Sequence, residues 1–213
     1  MTAGFFVTGT DTGVGKTVIS ALLMAALGPR AAYYKPVQTG DDDDTETVRE
    51  LSGGFALPVG LHLPLPAAPW RAAIAAGVQI ELSTLVARAV TPCDWLVAEG
   101  AGGVLVPLGP GLLMRDLISA LGLPALVVAR TQLGTINHTL LTVSALVQRG
   151  LPVAGIVLNG PPDPGLTEIL HACLPQDVRV VAEVGPAPAL TRAWVHRTAA
   201  AAFGPLFFDR WSR

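Results

Sequence analysis

The chain has almost no cysteine: two residues, Cys93 and Cys173, among 213. Neither stands in a metal-binding or redox spacing, which excludes a disulfide scaffold or a zinc module and points to a reducing, cytoplasmic setting. Charge is scarce as well. Only 14% of residues are charged and the formal net charge is -2, so there is no basic stripe of the kind that binds nucleic acid. Long uninterrupted apolar runs are missing too, since Pro, Gly or a charge breaks each one before the roughly 20 residues a membrane span needs. The first residues pass directly into Gly4-Phe5-Phe6-Val7 without a basic flank or cleavage site, so no export signal is expected. No internal repeat and no long linker divides the chain, and residues 1–213 read as a single domain.

What is present is apolar material in short pieces. The chain is 51% hydrophobic with a mean hydropathy of +0.51, and its 23 glycines and 18 prolines follow no period. Strands are expected at 5–8, 32–36, 95–99, 125–129, 156–159 and 178–184. Helices are expected at 16–27, 45–51, 82–90, 114–121, 136–149, 166–173 and 191–202. Strands that are apolar throughout, with helices between them, predict an α/β fold whose parallel sheet is covered on both faces. Right-handed crossovers would then gather the loops at the strand C-termini along one edge, where such sheets bind ligands. Residues 53–78, with Pro58, Pro64, Pro66 and Pro69, read as an irregular cover over the sheet edge.

Chemistry begins at Val7-Thr-Gly-Thr-Asp-Thr-Gly-Val-Gly-Lys-Thr17, between an expected strand and an expected helix. Its Gly-Lys-Thr ending is that of a phosphate-binding loop, although Gly9 and Gly15 are separated by five residues instead of the common four. Backbone N–H groups and the helix N-terminus would surround an anion, Lys16 would reach terminal phosphates, and the Thr17 hydroxyl would face Mg²⁺. Asp-Trp-Leu-Val-Ala-Glu99 ends a second strand in a carboxylate on the same edge, suited to holding the metal directly or through water. Gly100, Gly102 and Gly103 follow it and allow backbone amides to approach a ligand closely. Tyr33-Tyr34-Lys35 places a second lysine on that edge, more than polyphosphate binding needs, so one lysine is free to serve the reacting group. One of Asp41, Asp42, Asp43 and Asp44 could complete the metal shell, the others being a solvated acidic loop. Gly134, Thr135 and Asn137 open a helix whose free N–H groups suit a carboxylate, with simple N-capping by Thr135 as the plainer reading. His138 reads as a hydrogen-bonding helix residue, and His62, His171 and His196 have no catalytic context.

Four segments in register (VTGTDTGVGKT, YKPVQTG, VAEGAGG and LGTINHTLL) resemble dethiobiotin synthetase from Gly4 to about Gly160, and the lengthened phosphate loop is the form that family uses. The resemblance implies a P-loop NTPase-like α/β fold, a homodimer, and formation of the dethiobiotin ureido ring from 7,8-diaminopelargonate, CO₂ and ATP. By position it implies an ATP loop of Thr12, Gly13, Val14, Gly15, Lys16 and Thr17, with Lys35 and Lys16 catalytic. It implies Mg²⁺ at Thr17, Asp44 and Glu99, Asp44 being taken as the residue directly before the helix. Asn159, Gly160 and Pro186 would meet adenine. Thr39, Gly102 and Gly103 would meet the substrate, and Gly134, Thr135 and Asn137 would hold its carboxylate end from the partner subunit. Gln132 departs from the pattern, standing where some members have a lysine.

Two other readings share the sheet and the loop. A nucleotide-dependent switch ATPase often carries an additional early lysine, which is missing between Thr10 and Gly13, and an amphipathic tail, which Phe207-Phe-Asp-Arg-Trp-Ser-Arg213 is too short to form. A related amide-forming synthetase is the nearest enzymatic alternative.

Overall fold

Strands with no polar face need cover on both sides, and the arrangement of the chain follows from that need. The computed structural model describes residues 2–212. In chain order it contains β1 (Ala3–Gly9), α1 (Lys16–Leu27), β2 (Ala31–Tyr34), β3 (Val37–Thr39), α2 (Asp44–Ser52), β4 (Phe55–Ala56), β5 (Leu61–Leu63), α3 (Pro69–Ala76) and α4 (Leu82–Arg88). There follow β6 (Trp95–Gly103), β7 (Pro107–Gly109), β8 (Leu112–Leu113), α5 (Met114–Leu121), β9 (Ala125–Arg130), α6 (Thr135–Val147), β10 (Val153–Asn159), α7 (Leu166–Cys173), β11 (Val180–Val184), α8 (Arg192–Ala202) and α9 (Pro205–Asp209).

Seven strands form one sheet in the order β11-β10-β9-β1-β6-β2-β4, and every neighbouring pair is parallel. Alternation along β1 divides the core between the two faces. Phe5 and Val7 pack with Ile19, Leu22 and Leu23 of α1, while Phe6 packs with Met114, Leu117 and Ile118 of α5 and Leu146 of α6. Among the described residues no helix is long and apolar enough to cross a membrane. From β1 the chain builds outward to β2 and β4 on one side and later to β9, β10 and β11 on the other. The end of β1 is therefore a topological switch point, where open α/β sheets leave a crevice for a ligand. The phosphate loop lies there.

Several expectations need correction. Residues 53–78 are not irregular throughout: they hold β4, which joins the main sheet, β5, which pairs with β3, and the helix α3. Pro69 begins that helix, at a position where the missing N–H costs nothing, so a residue read as a breaker marks a start. The expected strand 32–36 stops at Tyr34, and Val37 to Thr39 turn away to pair with Leu61 to Leu63. Strand β6 runs on through the glycine segment to Gly103, which pairs with Gly9; a Cβ at Gly103 would come within 3.2 Å of the Gly9 carbonyl oxygen.

Candidate active site

The helix α1 opens at Gly15, whose φ of 91° lies in the left-handed region that favours glycine. A Cβ there would also overlap the side-chain amide of Asn159. Asn159, at the end of β10, donates from Nδ2 to the Val14 carbonyl at 2.8 Å and so fastens the loop to the sheet. No acidic side chain occupies the first turn of α1, which leaves its N–H groups and the positive end of its dipole for an exogenous anion. Lys16 donates from Nζ to the carbonyl of Asp11 at 3.1 Å. Burial, with Lys35 nearby, lowers its pKa despite the opposing pull of Glu99.

Parallel pairing explains the next part. Tyr33 and Tyr34 stand in register with Val97 and Ala98, so Lys35 and Glu99 come one step further along adjacent strands. Lys35 is 3% exposed and Glu99 1% exposed, and the ammonium meets Glu99 Oε1 at 2.8 Å. It also meets Asp44 Oδ2 at 2.6 Å. Burial opposes the Lys35 charge, but Glu99 and Asp44 together outweigh it and raise its pKa. Burial likewise pushes Asp44 up, whereas Lys35, Thr17 and Lys16 together bring it below the usual carboxylate value.

Asp44 is the first residue of α2, not the residue before it. The cap is Asp43, whose carboxylate accepts from the Glu46 N–H at 2.8 Å. Capping holds Asp43 at the helix start and turns the following aspartate toward the phosphate loop. Thr17 Oγ1 lies 2.8 Å from Asp44 Oδ1 and 3.1 Å from Glu99 Oε1. A hydroxyl has one proton, so only one carboxylate can receive it and the other faces a lone pair. Three converging oxygens with that deficit suit a hard divalent cation such as Mg²⁺, which takes oxygen donors and keeps waters. The donor set comprises two carboxylates and a hydroxyl; among the described residues no group of three or more His, Cys, Asp or Glu gathers at one point.

A cavity of about 710 Å³ opens over these groups. Thr12, Gly13, Gly15, Lys16, Thr17, Lys35, Thr39, Asp44, Glu99 and Gly102 all line it. Val14, Gly103, Asn159, Gly160, Pro186, Gly134, Thr135 and Asn137 lie outside the lining. Thr135 does not cap α6. Gly134 holds the cap position with φ 93°, and the Thr135 hydroxyl donates to the Arg130 carbonyl. His138 lies on α6, but its Nδ1 is buried with no hydrogen-bond partner among the described residues, contrary to the expected role. His171 Nε2 accepts from the Val180 N–H at 2.9 Å, a structural contact.

Three residues were missed in the sequence. Ser20 and Tyr33 donate to Glu99 Oε2 at 2.7 and 3.0 Å. Burial and the neighbouring Glu99 raise the Tyr33 phenol well above its usual pKa, so it stays a donor. Gln38, 6% exposed, stands beside Thr39 in the cavity wall. Only the spacing of Thr17 and Ser20, three residues apart on one helix face, was there to be found beforehand.

Comparison with known proteins adds the family. An AAA-domain family model matches residues 3–193. The ATP-dependent dethiobiotin synthetase BioD of Paramagnetospirillum magneticum is 46% identical over 195 residues, covering 90% of this chain and 92% of that protein. The protein of the same name from Anaeromyxobacter dehalogenans is 50% identical over 176 residues, covering 75% of this chain and 78% of its own length. Among solved structures, the septum site-determining protein MinD complexed with Mg-ADP from Pyrococcus horikoshii OT3 superposes with a TM-score of 0.59 at 17% identity, covering 100% of this chain and 93% of that one. A ParA family ATPase from Chlorobium tepidum TLS gives 0.57 at 10% identity, covering 100% and 97%. At those identities the two structures speak for the P-loop NTPase-like fold alone, whereas the two sequence relatives cover 90% and 75% of this chain at 46% and 50% identity. On that ground the chain belongs to the ATP-dependent dethiobiotin synthetase family, the ligases of that name in biotin biosynthesis.

Proposed function

We propose that the chain converts 7,8-diaminopelargonate, CO₂ and ATP to dethiobiotin, ADP and phosphate through a carbamate and a carbamic–phosphoric anhydride. The observation that carries this reading is the second buried lysine. Lys35 lies 2.6 Å from Asp44 and 2.8 Å from Glu99 beside the phosphate loop, where nucleotide binding alone has no use for it.

One amine of the substrate takes up CO₂ and loses a proton, giving an anionic carbamate. A carbamate oxygen attacks the γ-phosphorus and ADP leaves. The second amine attacks the carbonyl carbon of the anhydride, expels phosphate and closes the ring. Positioning and charge neutralisation are the protein's share of such a reaction. The amides of Thr12 to Thr17 cradle the phosphates. Lys16 and Lys35 offset the negative charge that two approaching anions build up, and Thr39 and Gly102 place the diamine in the cavity. Thr17, Asp44 and Glu99 are the residues that would hold Mg²⁺, which would supply charge neutralisation at the phosphates. Gly103 keeps the strand end close to the loop. Asn159, Gly160 and Pro186 face the adenine side, and Gly134, Thr135 and Asn137 complete the neighbouring subunit's site in a homodimer. The enzyme works in the cytoplasm as a single domain, with small molecules and not nucleic acid or membrane as its partners.

The test is incubation of purified protein with diaminopelargonate, bicarbonate and Mg-ATP, followed by mass detection of dethiobiotin. ATP hydrolysis without a product containing the new ureido carbon would refute the reading and favour a switch ATPase.

A further inference from the structure

Glu99 is buried at 1% exposure and has four side chains within hydrogen-bond distance, two at each oxygen. Oε1 meets Thr17 and Lys35, the two groups that line the cavity. Oε2 meets Ser20 Oγ at 2.7 Å and Tyr33 OH at 3.0 Å, and both of those residues are 0% exposed. A carboxylate oxygen has two lone-pair directions, so Ser20 and Tyr33 fill the acceptor capacity of Oε2.

The backbone explains how the pair arises. Tyr33 is in register with Val97 on the neighbouring strand, and Glu99 comes two residues after Val97 and hence on the same face of the sheet. Helix α1 lies over that face. Thr17 and Ser20, three residues apart along it, reach the same carboxylate, one at each oxygen. The Tyr33 hydroxyl adds nothing that a phenylalanine ring would not supply to packing. It matters only as a donor.

We infer that Tyr33 and Ser20 are positioning residues: by occupying Glu99 Oε2 they fix the rotation of the carboxylate and commit Oε1 to the cation side of the site. Without them Oε2 would be a buried acceptor short of partners, and the carboxylate would turn to share Lys35 and Thr17 between both oxygens. The inference rests on the proposed metal role of Glu99, and its test separates the two.

Tyr33→Phe and Ser20→Ala are compared with wild type and with Glu99→Gln. ADP binding is measured by titration calorimetry across a series of Mg²⁺ concentrations and again in EDTA, beside the thermal midpoint of each variant. Hydrogen-bond partners behind metal ligands are worth about 10–100-fold in metal affinity, so half-saturating Mg²⁺ should rise about tenfold in each single variant. Binding of ADP in EDTA should not change. If Tyr33→Phe and Ser20→Ala keep the wild-type Mg²⁺ dependence while Glu99→Gln loses it, the positioning inference falls and the metal role of Glu99 stands. If Glu99→Gln also keeps it, both fall. A lower thermal midpoint with an unchanged Mg²⁺ series marks the two hydroxyls as structural only and overturns the inference.

Discussion

Replacing Lys35 by Met removes the cation from between two carboxylates and keeps most of the stem's volume. Asp44 and Glu99 then face each other through Thr17 with only the more distant Lys16 as counter-charge, Glu99 being 1% exposed and the Asp44 side chain 23% exposed. Breaking a buried charge cluster by deleting one member costs about 3–5 kcal/mol, and the partial exposure of Asp44 argues for the lower end. At about 3 kcal/mol and roughly 2–4 °C per kcal/mol for a chain of this size, the thermal midpoint should fall by roughly 6–12 °C. The pH dependence is a sharper reading. In the wild type, the raised pKa of Lys35 contributes stability fully below the ordinary lysine value of about 10.4 and loses it as pH rises through the folded value. The lowered pKa of Asp44 contributes above about 3.9 and loses it as pH falls through the folded value. Between pH 5 and 8 both contributions are therefore constant. In Lys35→Met the largest opposition to burial at Asp44 is gone and only Thr17 and Lys16 still lower it, so its folded pKa should rise above the unfolded value and protonation should then favour the folded state. The deficit against wild type should narrow as pH falls from 8 to 5. Melting curves in EDTA without nucleotide measure this directly, and adding Asp44→Asn to Lys35→Met should recover part of the loss. A midpoint within 2 °C of wild type at pH 8, or a deficit that widens toward pH 5, would refute the electrostatic account of the site.

Other outcomes follow from the same geometry. In the ligase assay Lys35→Met should lower kcat by about 10²–10³, the scale for losing one stabilising group, while ADP affinity stays within a few-fold; normal turnover reduces Lys35 to a stabilising charge. Asp43→Ala should cost about 1 kcal/mol in urea unfolding, as for a lost N-cap, and keep activity, whereas Asp44→Ala should lose activity; the reverse pattern would move the metal ligand by one residue. Gly15→Ala forces a left-handed φ, costing about 1–2 kcal/mol, and displaces Asn159 from Val14, so nucleotide binding should weaken more than folding does; wild-type ATP affinity would refute the loop geometry. Lys16→Ala refolded together with a variant disrupted at Gly134 to Asn137 should regain roughly a quarter of wild-type activity if each site draws on two subunits of a two-fold dimer. No recovery in demonstrably mixed dimers removes those residues from the site.

Residues close in sequence left their roles on the page; residues joined across the sheet did not. The phosphate loop was legible because glycine spacing, Lys16 and Thr17 act through one continuous turn between β1 and α1, where local backbone geometry suffices. The parallel sheet was legible because strands apolar on both faces have no stable alternative to double cover. Pairing decided the rest. Strand register put Lys35 beside Glu99, 64 residues apart in the chain, and placed Tyr33 on the same face. Four consecutive aspartates were alike by residue type, and only the family resemblance singled out Asp44; capping by Asp43 is what turns Asp44 to Lys35 and Thr17. Pro69 looked like a break until the chain turned there to start a helix, and Gly103 looked like a loop until it paired with Gly9. A carboxylate at a strand end could be read from one dimension. Which of its oxygens faces the cavity depends on Ser20 from a helix and Tyr33 from a neighbouring strand, and only packing brings those two hydroxyls together.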